Sequence, residues 1–527
     1  MAAALTTGST AGTAAAAPVC SASPPPGAVT FTELGRYDTD PPAASAQTAA
    51  EIVAYENDVL YVMNIGAIDV VDISDPTLPV RINRLLLPGE PTSVAVKGGL
   101  VAVSVPAPIK TNPGRVLFFR GNDQVGDVIV GALPDMVTFT PDGKLLAVAN
   151  EAEPNSYGIV GSVDPEGSIS VINTQPFRTS GALSRNSSPQ PVETIDFNAF
   201  NIGGPRHGEL PADVRLFGPG ATVAQDLEPE YITIADDSRT AWVSLQENNA
   251  LAQLDLRAKT VTRIIALGYS DHSRPGFGLD ASDQGGPVNI QNWPVKGIYM
   301  PDGIANYAIA GARYVLTANE GDARDWPGIS SNGEEARRAR AVADLTLFPD
   351  ANDNNKLGRL NVTPFAPATT NAAGKLTSLY SYGSRSFSIR AADGALVWDS
   401  GDAFECITAL VHPTNFNASN SNNTFDNRSD DKGPEPENVV VGRVNGRWLA
   451  FIALERIGGV MVYDVSNPTA PVFQQYLTTR TFVGSTIGPD SGPEGMVFIS
   501  ADISPTGAPL LAVGNEVSGT VNLFGLA

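Results

Sequence analysis

Short apolar segments separated by turn residues recur in the same order along most of the chain. Each repeat begins with an acidic residue after proline, runs through two apolar strands, has a glutamate at the end of the second, and adds a third strand after a glycine. Two divergent copies lie near residues 51–73 and 91–119. The clearest copies are residues 134–151, 229–247, 301–320, 436–455 and 493–516. This period predicts seven repeats of one supersecondary unit.

Each repeat is predicted to be a small antiparallel sheet, because its strands are too short and too closely spaced for helices between them. Turn residues such as Pro-Asp-Gly at 141–143 separate the first two strands, as a hairpin requires. A sheet with two apolar faces must be covered on both sides, and packing seven of them around an axis achieves this. The predicted fold class is all-β, a seven-bladed β-propeller.

The last repeat ends without an outer strand, and residues 29–37 match the outer strands at 80–87 and 472–477. We therefore expect a propeller closed by an N-terminal strand that joins the last blade. In this organisation residues 29–527 form a single propeller, and residues 1–28 are a disordered tail or the remnant of an export signal.

Long insertions interrupt the repeats near residues 174–227, 268–298, 321–378 and 412–435. Long loops on a rigid scaffold commonly carry binding residues. One segment, Glu334–Leu345, is rich in strong helix formers and is the clearest short helix that the sequence predicts.

Composition narrows the class of protein further. The chain is 42% apolar and 17% charged and has 51 Gly and 41 Pro, which favours short strands and turns over helix bundles. Its net charge of −22 argues against nucleic acid and favours cations, basic partners or simple solubility outside cells. No run of 18 apolar residues exists, so no transmembrane segment is predicted.

The cysteines and histidines are too few and too scattered for a thiolate or His-rich metal cluster. Only Cys20 and Cys406 are present, and the sequence leaves open whether they pair.

The repeats place carboxylates together. In a hairpin, the start of the first strand lies beside the end of the second, so the acids from both positions are expected at one mouth of the central channel. Calcium takes six to eight oxygen ligands and suits such a ring, with magnesium or another divalent ion as alternatives. The predicted metal ligands are Asp135, Glu151, Glu230, Glu247, Asp302, Glu320, Glu437, Glu455, Glu494 and Glu516. Alternatively, these acids cap turns and pair with Arg324, Arg428 and Arg456 without any metal.

Two polar loop segments, 319–325 and 427–434, combine acids with an arginine that could bind an oxyanion. They suggest a phosphate ester site with Arg324, Arg428 and Asp322 as catalytic candidates. No Gly-x-Ser-x-Gly elbow or Ser-His-Asp arrangement supports other hydrolase chemistry.

Several longer segments are distinctive enough to compare with known proteins: FGPGATVAQDLEPEYI (217–232), ANEGDARD (318–325), SRSFSI (384–389), FDNRSDDKGPEPENV (425–439), LERIGGVMVYDVSNP (454–468), GPEG (492–495) and NEVSGTV (515–521). In these segments the chain resembles the choice-of-anchor I family of bacterial extracellular propellers. The resemblance implies a propeller exported to the cell surface. Some members are described as alkaline phosphatase-like, which would add Glu320, Asp430 and Glu437 to the phosphate ester site.

Together these observations predict a secreted or cell-surface, calcium-binding β-propeller that acts as a binding or surface-structural module. Its expected partner is a surface protein, a polysaccharide or a mineral. The alternative is a metal-dependent, alkaline phosphatase-like phosphomonoesterase with its site at the channel mouth. A purely structural propeller without metal is the third hypothesis, and the sequence leaves open whether the protein is an enzyme.

Overall fold

The computed structural model describes residues 20–40, 49–179, 190–284, 286–483 and 487–527. Strands dominate these ranges. The strands of the first half are β1 (Phe31–Asp38), β2 (Val53–Glu56), β3 (Val59–Asn64), β4 (Ala67–Asp72), β5 (Val80–Leu86), β6 (Ser93–Lys97), β7 (Leu100–Val105), β8 (Pro113–Arg120), β9 (Asp123–Ala132), β10 (Pro134–Phe139), β11 (Leu145–Asn150), β12 (Ser168–Asn173), β13 (Val192–Asp196), β14 (Pro229–Ile234), β15 (Thr240–Leu245), β16 (Ala250–Asp255) and β17 (Thr260–Ala266).

The strands of the second half are β18 (Tyr269–Asp271), β19 (Lys296–Ile298), β20 (Ile304–Ile309), β21 (Ala312–Asn319), β22 (Arg337–Arg338), β23 (Asn361–Val362), β24 (Tyr380–Tyr382), β25 (Ser386–Ala391), β26 (Leu396–Asp399), β27 (Pro436–Val444), β28 (Arg447–Leu454), β29 (Val460–Asp464), β30 (Val472–Leu477), β31 (Pro493–Ile499), β32 (Leu510–Asn515) and β33 (Thr520–Leu526). The α-helices are α1 (Gln175–Thr179), α2 (Val223–Asp226), α3 (Ala339–Val342) and α4 (Ala403–Val411). Short 3₁₀ turns lie at Asn198–Phe200, His207–Glu209, Pro349–Asn352 and Leu357–Arg359.

The described residues form seven four-stranded sheets whose neighbouring strands are antiparallel. Four of the sheets are β2–β5, β6–β9, β10–β13 and β14–β17, in which neighbours in space are neighbours in sequence. The fifth has the order β20-β21-β25-β26, the sixth is β27–β30, and the seventh has the order β1-β33-β32-β31. The prediction of an all-β chain built from repeated small antiparallel sheets is confirmed.

The hydrophobic core lies between successive sheets. The middle strands are apolar on both faces, and all six residues of β7, for example, are buried. Between the third and fourth sheets, Ala149 and Val171 belong to the same buried cluster as Val243 and Leu254. A continuous apolar run, rather than an alternating one, is what a strand covered on both faces requires.

The first strands of the seven sheets contact one another in chain order. β2 contacts β6, and the contacts continue through β10, β14, β20, β27 and β31. β31 in turn contacts β2, so the ends of these strands lie close together. This arrangement gathers the polar residues that flank them.

The N-terminal region is attached at two points. β1 pairs antiparallel with β33, with Phe31 opposite Leu526. Cys20 forms a disulfide with Cys406 of α4, and their Cα atoms are 6.0 Å apart. The expectation of a free tail is therefore wrong for residues 20–28, whereas residues 1–19 lie outside the described residues.

The insertions contain more regular structure than expected. The insertion predicted at 174–227 includes β13, the fourth strand of the third sheet. β18 and β19, in the insertion at 268–298, form a three-stranded sheet with β24, which follows the insertion at 321–378. That insertion contains the short pair β22-β23.

The helix predicted over Glu334–Leu345 is reduced to the single turn α3. Arg337 and Arg338 pair instead with Val362 and Asn361, so tertiary strand pairing overrides helix propensity in this segment. Conversely, α4 was not predicted from the sequence, and it buries Phe404 and Ile407. Among the described residues, no helix is both long and apolar enough to cross a membrane.

Candidate carboxylate site

A β-bulge at the start of four first strands directs the acidic side chains. In β10, Pro134 pairs with Asn150 and Val137 with Val148, so two residues oppose one. The same shift occurs in β14, β27 and β31. The first bulged residues are Asp135, Glu230, Glu437 and Glu494. Bulges re-aim side chains and are common beside functional sites.

The acids line two adjoining cavities. The mouth cavity, about 280 Å³ and open, is lined by Glu51, Glu320, Asp322, Lys432, Glu437, Glu455, Arg456, Glu494 and Glu516. The inner cavity, about 40 Å³, is lined by Glu51, Ile52, Thr92, Ser93, Asp135, Met136, Tyr231, Asp302, Asn438 and Glu494. Glu51 and Glu494 line both cavities, so the two cavities adjoin at these side chains.

A third group, the Glu151 cluster, consists of Glu151, Glu230 and Glu247. Each residue offers a carboxylate oxygen that lies within 4.8 Å of the other two. Glu230 and Glu247 are only 7% and 4% exposed. One buried oxygen of each, Oε2, has no hydrogen-bond partner within the described ranges. Three converging acids with unsatisfied oxygens are the features of a cation site.

Electrostatics in the Glu151 cluster disfavour the ionised form of its three acids. Burial, followed by the repulsion of neighbouring acids, raises the pKa values of Glu151 and Glu230 well above their usual range. Burial raises the pKa of Glu247 to about 7, although the charge of Arg324 acts in the opposite direction. A bound divalent ion would reverse this balance.

Another carboxylate cluster, the Lys432 cluster, already contains its own cations. Oxygens of Glu320, Glu435 and Glu455 lie within 4.8 Å of one another. Lys432 Nζ lies 2.6 Å from Glu320 and 2.9 Å from Glu435. Arg456 lies 3.0 Å from both Glu435 and Glu455.

These cations determine the ionisation of Glu435. Burial opposes its charge, but Lys432, Arg428 and Arg456 hold the pKa of Glu435 well below its usual range. The Lys432 cluster therefore resembles the metal-free alternative in which acids pair with basic side chains.

The structure places the ten predicted ligands in three adjoining groups. Five line the mouth cavity: Glu320, Glu437, Glu455, Glu494 and Glu516. Asp135, Asp302 and Glu494 line the inner cavity, and Glu151, Glu230 and Glu247 form the Glu151 cluster. Whether any of them binds a metal stays a prediction.

The arginines predicted to bind a phosphate ester have other partners. Arg324 is fully buried, pairs with Asp226, and lies 2.9 Å from Glu228. Arg428 Nη2 lies 2.5 Å from Glu435 and 2.7 Å from Asp431. The Arg324 guanidinium is thus paired with two buried acids, and its role at a phosphate ester stays a prediction.

The acids of the predicted ester site are divided between two places. Asp322 is half exposed at the mouth cavity, 3.5 Å from Lys432. Asp430 is paired with Arg338 and Arg359, at 2.7 Å in each case.

Sequence reasoning missed the acids that precede the repeat prolines. Glu228 and Glu435 are buried, and each has arginine or lysine partners. The sequence did contain a signal, because Glu-Pro-Glu occurs at 228–230 and again at 435–437. In the copies at 134–151, 301–320 and 493–516, the residue before the proline is Leu133, Met300 or Gly492, which carries no charge.

A family model described as the choice-of-anchor I domain matches residues 51–468, and the chain belongs to this family. The chain is 32% identical over 192 residues to Gigasin-3a of Magallana gigas, covering 34% of this chain and 67% of the relative. It is 28% identical over 331 residues to the mesenchyme-specific cell surface glycoprotein of Strongylocentrotus purpuratus. That match covers 54% of this chain but only 42% of the relative.

Three solved structures show weak overall similarity. A hydrazine synthase of Kuenenia stuttgartiensis has a TM-score of 0.45 at 12% identity, covering 92% of this chain and 98% of its own. The WD40 domain of Toxoplasma gondii coronin has a TM-score of 0.43 at 7% identity, and the match covers 95% of this chain and 88% of the coronin domain. A chain of a mitotic checkpoint complex has a TM-score of 0.46 at 8% identity, and the match covers 98% of each chain. Similarities of this size assign no activity to the chain.

Proposed function

We propose that the protein is a secreted or cell-surface β-propeller that binds calcium and acts as a binding or surface-structural module. In this proposal the seven sheets are blades, and β1 closes the ring by completing the last blade. The chain-order contacts of the first strands and the pairing of β1 with β33 support this organisation. Full closure would also protect sheet edges from pairing with other chains.

The Glu151 cluster is the observation that carries the cation proposal. Calcium binds oxygens at about 2.4 Å, so oxygens within about 4.8 Å of one another can contact one ion. The described residues place no Lys or Arg within salt-bridge distance of Glu151 or Glu230, in contrast to the Lys432 cluster. Calcium accepts irregular ligand sets completed by carbonyls and waters, whereas magnesium demands near-octahedral geometry. We therefore favour calcium.

The surface location is supported by family membership and by the relative named as a cell surface glycoprotein. Because the chain spans 42% of that relative's length, its partners are part of the proposal. A calcium ion on an acidic protein can bridge to the anionic groups of a polysaccharide or a mineral. We propose such a partner, or a surface protein.

Calorimetric titration tests the cation site. Chelator-treated protein should bind calcium more tightly than magnesium, and calcium should raise the melting temperature, since a ligand of the folded state stabilises it. Glu230→Gln should weaken calcium binding at least tenfold. Glu193→Gln, at an exposed position on β13, is the matched control and should bind like the wild type. Absence of calcium binding at millimolar concentration would refute the site.

A further inference from the structure

The inner cavity and the mouth cavity together have the chemistry of a receptor for an organic ammonium group. Their shared lining residues, Glu51 and Glu494, are acidic. Among the described residues, no three acids of the inner cavity offer carboxylate oxygens within 4.8 Å of one another, in contrast to the Glu151 and Lys432 clusters. Acids that do not converge in threes suit a cation that bridges them through several N–H bonds better than they suit one bare metal ion.

Two buried oxygens point to a ligand that donates hydrogen bonds. Asn438 is 1% exposed and lines the inner cavity, and its Nδ2 donates to the Tyr231 hydroxyl. Its Oδ1 is buried without a partner within the described ranges. Glu437, 8% exposed and lining the mouth cavity, has a buried Oε2 without a partner in the same ranges. Unsatisfied buried acceptors are rare and destabilising, so a donor is expected.

Size distinguishes among organic cations. The inner cavity of about 40 Å³ is close to the roughly 30 Å³ that one water occupies in the liquid. An ammonium head, with three donors and no acceptor, has this size, whereas a planar guanidinium is larger. The mouth cavity, at about 280 Å³, has room for the alkyl chain that carries the head.

The protein already contains one buried ammonium group that is held by carboxylates. In the Lys432 cluster, an ammonium group lies between Glu320 and Glu435, at 2.6 Å and 2.9 Å, and 3.5 Å from Asp322. Lys432 and Glu320 also line the mouth cavity. An incoming ammonium would make contacts of the same kind a few side chains away.

We propose that the mouth and inner cavities bind a primary alkylammonium group, whose head enters the inner cavity between Glu51, Glu494 and Asn438. The source is either a free polyamine or a lysine side chain of a partner protein. Both sources present the same head and chain to the site. This proposal is independent of the calcium site.

Calorimetry on chelator-treated protein, in chelator-free buffer, tests the proposal with defined probes. Spermidine and an end-capped Gly-Lys-Gly peptide are titrated, with tetramethylammonium and the Nε-acetylated peptide as controls that lack the ammonium donors. At least one amine should bind, and neither control should. Binding of spermidine alone assigns a free polyamine, whereas binding of the lysine peptide assigns a protein partner.

Variants assign the binding to the cavities. Glu494→Gln and Glu51→Gln should each weaken amine binding about tenfold, corresponding to the loss of one charged hydrogen bond. Glu247→Gln should weaken calcium binding and leave amine binding unchanged, which separates the two proposals. Equal binding of tetramethylammonium, or unchanged amine affinity in both Glu494→Gln and Glu51→Gln, would overturn the proposal.

Discussion

The hydroxyl of Tyr37 donates a 2.7 Å hydrogen bond to the carboxylate of Asp69, a residue with no solvent exposure. Tyr37 lies in β1, whereas Asp69 lies in β4 of the neighbouring sheet. Asn64 and Arg84 also donate to Asp69. The N-terminal strand is thus fixed both to β33, by its backbone, and to the first sheet, by this buried network.

Tyr37→Phe should destabilise the protein by about 1.5–3 kcal/mol, the range for a hydrogen bond to a charged group. Removing the hydroxyl leaves the buried Asp69 with one donor fewer. The free energy of unfolding from urea titration measures the effect. Tyr61→Phe, at a half-buried tyrosine with no hydrogen bond to the described residues, is the control. Equal stability of both variants would show that the contact does not hold β1.

Reduction of the Cys20–Cys406 disulfide should lower stability by about 2–4 kcal/mol, because the bond restricts the unfolded chain. The double variant Cys20→Ser, Cys406→Ser should match the reduced wild type. Urea titration with and without reductant measures the loss, and limited proteolysis should newly cleave residues 20–28. Identical stability of oxidised and reduced protein would contradict this expectation.

Arg324→Ala should destabilise the protein by about 3–5 kcal/mol, because it leaves Asp226 and Glu228 buried without their partner. Thermal melting and urea titration give the magnitude. Arg257→Ala, at an exposed arginine 3.9 Å from Asp142, should change stability by less than about 1 kcal/mol. A melting temperature unaffected by Arg324→Ala would favour a ligand-binding role over this structural one.

Without added cations, stability should fall as the pH rises from about 5 to about 8. Burial, and then neighbouring acids, raise the pKa values of Glu51 and Asp135 to about 8 in the folded state. At pH values between the unfolded-state and folded-state pKa values, the folded protein binds more protons than the unfolded chain. The stabilisation present at low pH is therefore lost as the pH increases. Melting temperatures in chelator across this range test the sign.

The double variant Glu51→Gln, Asp135→Asn serves as the control for this pH dependence. It lacks the two titrating groups and should show a flatter profile than the wild type. A wild-type profile that rises from pH 5 to pH 8, or one that the double variant reproduces, would contradict the assignment to these acids.

The repeats were predictable because apolar periodicity and turn residues are local properties. The spacing of Pro134 and Glu151, for example, already indicates a hairpin whose ends meet. The β-bulges were not predictable, because two residues oppose one only after strands pair. They explain how Glu230 and Glu437 leave the alternation of their strands, so that Glu230 joins the Glu151 cluster and Glu437 lines the mouth cavity.

The candidate site was predictable in its acids but not in their partners. Arg324 follows Asp322 closely in sequence, which suggested a shared ligand site. In the fold Arg324 is buried against Asp226 and Glu228, nearly 100 residues away. Which acid pairs with a buried arginine depends on how two insertions pack together. A local sequence pattern does not predict that packing.

The disulfide at Cys20 also has a mechanical consequence. It precedes β1, so tension applied to the chain ahead of Cys20 passes through a covalent bond into α4. The hydrogen bonds between β1 and β33, which would otherwise be loaded one after another from the end at Phe31, are shielded from that pull. Force applied ahead of Cys20 therefore reaches α4 first and does not peel β1 away from β33.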